Sequence, residues 1–530
     1  MNFEYFGGIK IYRPSADSEL RLRAEVEANL RANFPVGRFT DGRDINSILQ
    51  REFNFYETKL TNALPKIASR DLMNFLLFQY EESCRINWLS LQGPELQRWD
   101  ALGPELRRAI KYLCERVALL SPPEDPRAPL ELLEGLLDEC FICAEAMVSL
   151  YMLSEQTYGL FPNDTVLQIY PPGQLDLFKL DLTGTARQCM QFGERVDIHN
   201  ANRRRFIPDL PLDNDPAEQG KLLNPFFLKS FGISYTDALS IIMNISQNAK
   251  PPPTGFPVPF CRLDEILDGL AQKGIDRNTA KTIFAGVTLR PNEMLAEGRV
   301  IWKPKQENRA YRRAFFEFPH RTGTHLTWSK NMVKESFIFS LVGAAFQKLP
   351  SEWLTNETRK GLAELSNRVG AWFEGVVRDN LKTAGIEGRS YEGQIGAEAT
   401  ALAIPKGIGQ IDFVGHSQRE RLLVICEDKM VEEGLEPRFF RDSLSQFVRS
   451  KDNYADRFRK KIDWAWQNRE GIARALNLGS KPLEVACAMV TFYPSLASYF
   501  IQDFPCVSIT ELMLDYEKAR KWPYTLGRRG

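Results

Sequence analysis

At 530 residues the chain exceeds what one hydrophobic core usually supports, so about two to four domains are expected. The composition, 43% hydrophobic and 26% charged, is that of an ordinary globular protein. Lys plus Arg equals Asp plus Glu at 68 each, so bulk charge argues neither for nor against a polyanionic partner, which would need only a local basic face.

The N-terminus, MNFEYFGGIKIYRPSADSE, has no apolar core of a signal peptide, and the longest apolar run, residues 337–346, is too short to span a bilayer. A soluble, cytoplasmic protein without a membrane partner is expected. From residue 18 to 156 apolar residues recur at helical spacing, as in SELRLRAEVEANLRANF and ELRRAIKYLCERVALL, interrupted by SPPEDPRAP. Cys140 and Cys143 form a C-x-x-C in LLDECFICAEAM, but no second pair or histidine follows at metal spacing. They read as core cysteines on a helix. Residues 158–208 are mixed, with a strand-like TVLQIY.

The Pro- and Asp-rich RRRFIPDLPLDNDPAEQG, from Arg203, reads as a linker. Two short helical stretches then flank the loop KPPPTGFPVPF, and residues 299–330 are basic, aromatic and strand-like. That segment reads as a β-hairpin with a packed aromatic face, stacking on nucleic acid being the alternative. His320 and His325 within it lack further metal ligands. From residue 351, strands alternate with helices, which indicates an α/β domain. The sequence thus divides into a mostly helical region at 1–205, for recognition, sensing or oligomerisation with itself or a partner protein; a linker, small helical and aromatic region at 206–350; and the α/β domain at 351–530.

The chemistry concentrates in GIGQIDFVGHSQRERLLVICEDKMVEEG, from Gly407. Two apolar strands, residues 410–414 and 421–430, flank the polar turn GHSQRE, in which His416 reads as an ordinary turn residue. Asp412 lies on the first strand. Glu427 and Lys429 lie two apart on the second and therefore share a face. Two carboxylates and an ammonium on an apolar hairpin are costly to bury without a counter-charge, and a divalent cation with hard-oxygen preference is one. Asp412 and Glu427 would hold Mg²⁺ with the backbone carbonyl of Asp428, and Lys429 would stabilise developing charge beside it.

These residues resemble the PD-(D/E)XK nuclease superfamily over roughly residues 355–520. Ile411-Asp412 matches its first acidic motif and Glu427-Asp428-Lys429 its E-x-K. The resemblance implies a restriction-endonuclease-like core: a helix, a three-stranded meander, a second helix and a further strand in a mixed central sheet. Its first helix often carries a metal-site glutamate. NRVGAWFEGVVRDNLKTAGI fits that helix, with Val369, Phe373, Val376 and Leu381 as the buried stripe, Glu374 at the acidic position and Gly385 ending it. The first strand is expected within residues 389–404. The helix after the E-x-K strand often adds a polar residue, here Gln446.

Residues 437–474 hold twice as many basic as acidic residues, and Arg449, Lys451, Arg457, Arg459, Lys460 and Lys461 are candidate phosphate contacts, a solvated helix face being the alternative. No phosphate-binding Gly-rich loop occurs, so ATPase activity is not expected.

The implied function is Mg²⁺-dependent cleavage of nucleic acid, Mn²⁺ substituting, foremost as a DNA endonuclease of restriction or anti-phage defence. A repair or recombination nuclease acting on branched or single-stranded DNA or on RNA is the second reading. A catalytically silent binding or scaffold protein is the third.

Overall fold

The computed structural model describes residues 1–120, 129–174, 176–208, 215–252, 255–292, 308–397, 400–432, 437–479 and 484–524. Most of SPPEDPRAP, the middle of the Pro/Asp-rich segment and residues 299–307 of the aromatic segment lie outside them. No helix among the described residues is long and apolar enough to cross a membrane.

The chain forms two compact units, each assembled from separated segments. The first comprises residues 1–155, 167–180 and 213–365, the second residues 156–166, 181–212 and 366–530. This differs from the three-part division read from sequence. Residues 213–350 are no appendage: they pack into the first unit with the N-terminal helices.

Helices Ala16–Asn33, Gly42–Ile67, Arg70–Ile86, Gly93–Leu119 and Glu134–Ser154 build the N-terminal part of the first unit. Ser15, Asp41 and Ser69 cap three of them by accepting backbone N–H groups. Cys140 and Cys143 are buried on the last of these helices, with their thiols pushed up by burial, in keeping with the core reading. Strands Phe315–His320 and Gly323–Trp328 form the expected hairpin within a four-stranded sheet. Phe315, Phe316, Phe318 and Trp328 are all buried, so those rings fill a core and present no stacking surface.

The second unit is a sheet between helical layers. The elements that frame its sheet are, in chain order, α1 (Asn356–Thr383, the first part of which belongs to the other unit), β1 (Glu387–Tyr391), β2 (Ile411–Ser417), β3 (Leu422–Lys429), α2 (Tyr454–Gln467), β4 (Glu484–Thr491), β5 (Cys506–Ser508) and α3 (Ile509–Ala519). Strand order is β1-β2-β3-β4-β5, antiparallel between β1, β2 and β3 and parallel from β3 through β5. A two-stranded hairpin, Gln394–Ile395 with Leu402–Ala403, interrupts the path from β1 to β2.

Alternation along β3 assigns its residues to two cores. Leu422, Val424 and Cys426 join Phe373, Val376, Val377 and Leu381 of α1 and Ile509, Leu512 and Met513 of α3. Leu423 and Ile425 join Ala455, Phe458, Trp464 and Ala465 of α2. A strand covered on both faces needs the continuous apolar run LLVIC, which is the run the sequence has.

Helix α1 ends as expected. Gly385 has φ +81°, its N–H bonds the carbonyl of Lys382, and the N–H of Ile386 reaches that of Leu381, the paired bonds of a Schellman cap. Two corrections concern neighbouring segments. His416 sits within β2 opposite Leu423, because the hairpin pairs as far as Ser417 and Leu422 and the turn is shorter than the polar run. The RRRFI part of the presumed linker is structured: Arg203–Arg205 form a 3-10 turn and Ile207 is buried with α1 and α3.

Candidate active site

β2 and β3 run antiparallel with Phe413 opposite Cys426 and Val414 opposite Ile425. Asp412 precedes the first of these pairs. On its other side, the pairing of β2 with β1 slips between Arg389 and Tyr391, placing a bulge at Asp412. The bulge frees the carboxylate to turn along the strand, where Asp412 Oδ2 accepts the backbone N–H of Asp428 at 2.9 Å. Two small residues make room beside it. A Cβ on Gly388 would lie 2.5 Å from Gly415 Cα, and one on Gly415 would lie 2.4 Å from the Phe413 ring. The glycines therefore let β1 and β2 close over Phe413.

The structure brings Asp412, Glu427 and Lys429 together. Lys429 Nζ lies 2.8 Å from Glu427 Oε1 and 3.3 Å from Asp412 Oδ2, and it donates to the carbonyl oxygen of Asp428 at 3.1 Å. The Tyr454 ring centroid is 5.4 Å from the same ammonium. The Asp428 side chain points to the opposite face, toward α1. It is buried, and neither carboxyl oxygen has a hydrogen-bond partner.

Lys461 is a correction. Sequence reasoning placed it on a basic surface, but its ammonium is buried against Glu427 Oε2 at 2.5 Å. A signal was available: Lys461 lies three residues after Phe458 and four before Ala465, on the stripe of α2 that faces the core. The other proposed phosphate contacts differ in fate. Arg449 donates to the carbonyl oxygens of Gly159 and Leu160, and Arg459 pairs with Asp456 and Asp503. Lys451, Arg457 and Lys460 are exposed. Gln446 is also exposed, on the π-helical turn Ser445–Arg449 that rotates it away from the buried side, so it is not gathered with the cluster.

The electrostatics follow from burial and pairing. Burial pushes the Glu427 carboxyl up, but Lys429 and then Lys461 outweigh it and hold the group below its ordinary value. Burial dominates at Asp412 and raises it despite Lys429. Glu374 is raised by burial and next by Asp412, so it lies within electrostatic reach of the cluster. Asp428 is raised well above the carboxylate range, first by burial and then by Asp412. At Lys429 burial favours the neutral amine, yet Glu427 and Asp412 together hold it protonated and raise it. Asp412 and Glu427 meet the two ammoniums directly, while Glu374 and Asp428 add carboxyls within electrostatic reach, an excess of acid that protons or a cation must offset.

Among the described residues, no three His, Cys, Asp or Glu side chains are gathered so as to hold a metal ion. Mg²⁺ commonly takes only one or two carboxylates and completes its shell with water, so Asp412 and Glu427 suffice in donor chemistry. No protein-family model, curated protein or solved structure matches the chain.

Proposed function

We propose that the second unit is a Mg²⁺-dependent nuclease of the PD-(D/E)XK type that hydrolyses phosphodiesters, DNA being the first substrate to test. One observation carries the reading: Lys429 Nζ is within 3.3 Å of Asp412 and 2.8 Å of Glu427. The order of elements supports it too, since helix, three-stranded antiparallel meander, helix and strand is the order the resemblance implies.

Asp412 and Glu427 would hold the cation, with Glu374 near enough to add charge. A bound Mg²⁺ supplies Lewis acidity toward the phosphodiester. The chain's own contribution is positional. Lys429, paired with Glu427 and Asp412, would bring its ammonium to bear on the anionic charge that develops at phosphorus. Exposed Lys451, Arg457 and Lys460 would neutralise backbone phosphates.

Incubation of supercoiled plasmid with the protein and Mg²⁺ or Mn²⁺ tests the reading. Nicked or linear product is expected, and Lys429→Met should lower the rate by about 100-fold or more. If neither DNA nor RNA is cut, the nuclease reading fails. A silent binding protein is the competing reading. It is favoured by the two lysines that already occupy both oxygens of Glu427. Calorimetric binding of Mn²⁺ that disappears in Asp412→Asn argues against it.

A further inference from the structure

Lys461 is the member of the cluster that the nuclease reading leaves without a role. Its side chain is 9% exposed, its stem lies on the core-facing stripe of α2, and its ammonium ends on Glu427 Oε2. Burying an ammonium is costly unless it is paired and hydrogen-bonded. Among the described residues Glu427 alone accepts from it, and Glu427 already accepts from Lys429 through its other oxygen. The two lysines are not held equally. Lys429 has three acceptors, in Glu427, Asp412 and the Asp428 carbonyl, whereas Lys461 has one. Where a cation enters this cluster, electrostatic repulsion must move an ammonium, and Lys461 is the one that loses least. Its flexible four-carbon stem permits the shift without movement of the helix.

We propose that Lys461 is an exchangeable cation of the site: it occupies Glu427 in place of a divalent ion, yields that oxygen when the ion binds, and turns its freed ammonium to a phosphate oxygen of the nucleic acid. The inference rests on the nuclease reading of the same cluster. It assigns Lys461 two opposed effects that a merely structural lysine would not have. Removing it strengthens ion binding, because a competitor is gone, and weakens cleavage, because a phosphate contact is lost.

The experiment compares wild type, K461M and K461R in the full chain by Mn²⁺ calorimetry and plasmid cleavage. K461M is expected to bind Mn²⁺ about threefold or more tighter while cutting at least about tenfold more slowly. K461R, which keeps the charge, is expected to bind Mn²⁺ no tighter than wild type. Equal or weaker Mn²⁺ binding by K461M overturns the proposal and leaves the nuclease reading intact. Absence of Mn²⁺ binding by the wild type overturns the reading and the proposal together. A measurement on the wild type covers the case in which K461M does not fold. Amine-reactive labelling of Lys461, read by mass spectrometry, is expected to rise when Mg²⁺ is added. Unchanged labelling counts against the exchange.

Discussion

At the scale of single residues, the second unit places several ionisable groups where water cannot stabilise their charge, and they are accommodated in two ways. Glu427 is kept ionised by two ammoniums, whereas Asp428, one residue on and facing the other side of the sheet, has no partner and is driven toward its neutral form. His199, on the helix Phe192–Asn202, follows the second course. It is fully buried, neither ring nitrogen has a hydrogen-bond partner, and its ring lies 5.3 Å from that of Tyr493. Burial, aided by Arg203, lowers its pKa to about 4. A depressed histidine means that the unfolded chain takes up the proton first. The stability that depends on neutral His199 is therefore present above about pH 6.5, declines as pH falls from there, and is lost once pH passes below about 4. His199→Phe, which cannot charge, should show a shallower fall in melting temperature between pH 7 and pH 4 than wild type. Parallel curves for the two proteins would show that this histidine does not contribute.

Elements carry the site by fixing where side chains can point. The close approach of β1 to β2 beside the bulge depends on Gly388 and Gly415, where a side chain would meet backbone or the Phe413 ring. Gly415→Val should destabilise the protein by about 1–3 kcal/mol through overpacking, and it should impair cleavage more than a matched loss of stability elsewhere, because Asp412 is displaced. Urea unfolding and a cleavage assay on one preparation measure both. Much of this geometry was legible beforehand. Period-two alternation placed Glu427 and Lys429 on one face, and the spacing of Val369, Phe373, Val376 and Leu381 gave the buried side of α1. Lys461 escaped because charges on a helix usually face water, and only its place between Phe458 and Ala465 marked it as an exception. Regular α-helical spacing does not locate Gln446, because the backbone there makes a π-turn whose extra residue alters which side chain faces inward. The polar run GHSQRE reads as turn, but backbone pairing carries His416 and Ser417 into the strand, which a polarity pattern does not reveal.

At the scale of the whole molecule, the division by sequence failed for a reason that local patterns do not contain. The sheet of the second unit takes part of its cover from chain far upstream of α1. Leu160, Phe161 and Ala186 join the core beneath α2, and Phe161 stacks on Phe500 with ring centroids 5.9 Å apart. Ile207 enters the opposite core. Arg195 forms a two-pronged ion pair with Glu511, whose carboxylate also closes the capping box of α3 by accepting the backbone N–H of Ser508. A fragment of residues 351–530, the domain suggested by sequence, would lose all of these at once. It would expose the face of Phe500 that Phe161 covers and leave Glu511 without its guanidinium. Such exposed apolar area promotes association, and the lost burial removes stability that the remaining core must supply. The fragment is therefore expected to be poorly soluble, or to unfold in urea at a lower midpoint and with a broader transition than the second unit within the intact chain. A chain that also retains residues 156–212 should regain the missing contacts. Arg195→Ala in the full protein should reproduce part of the fragment's defect, because it removes the ion pair while leaving the apolar contacts in place. Equal urea midpoints for the short fragment and the intact second unit would show that these upstream segments only decorate a fold that stands without them.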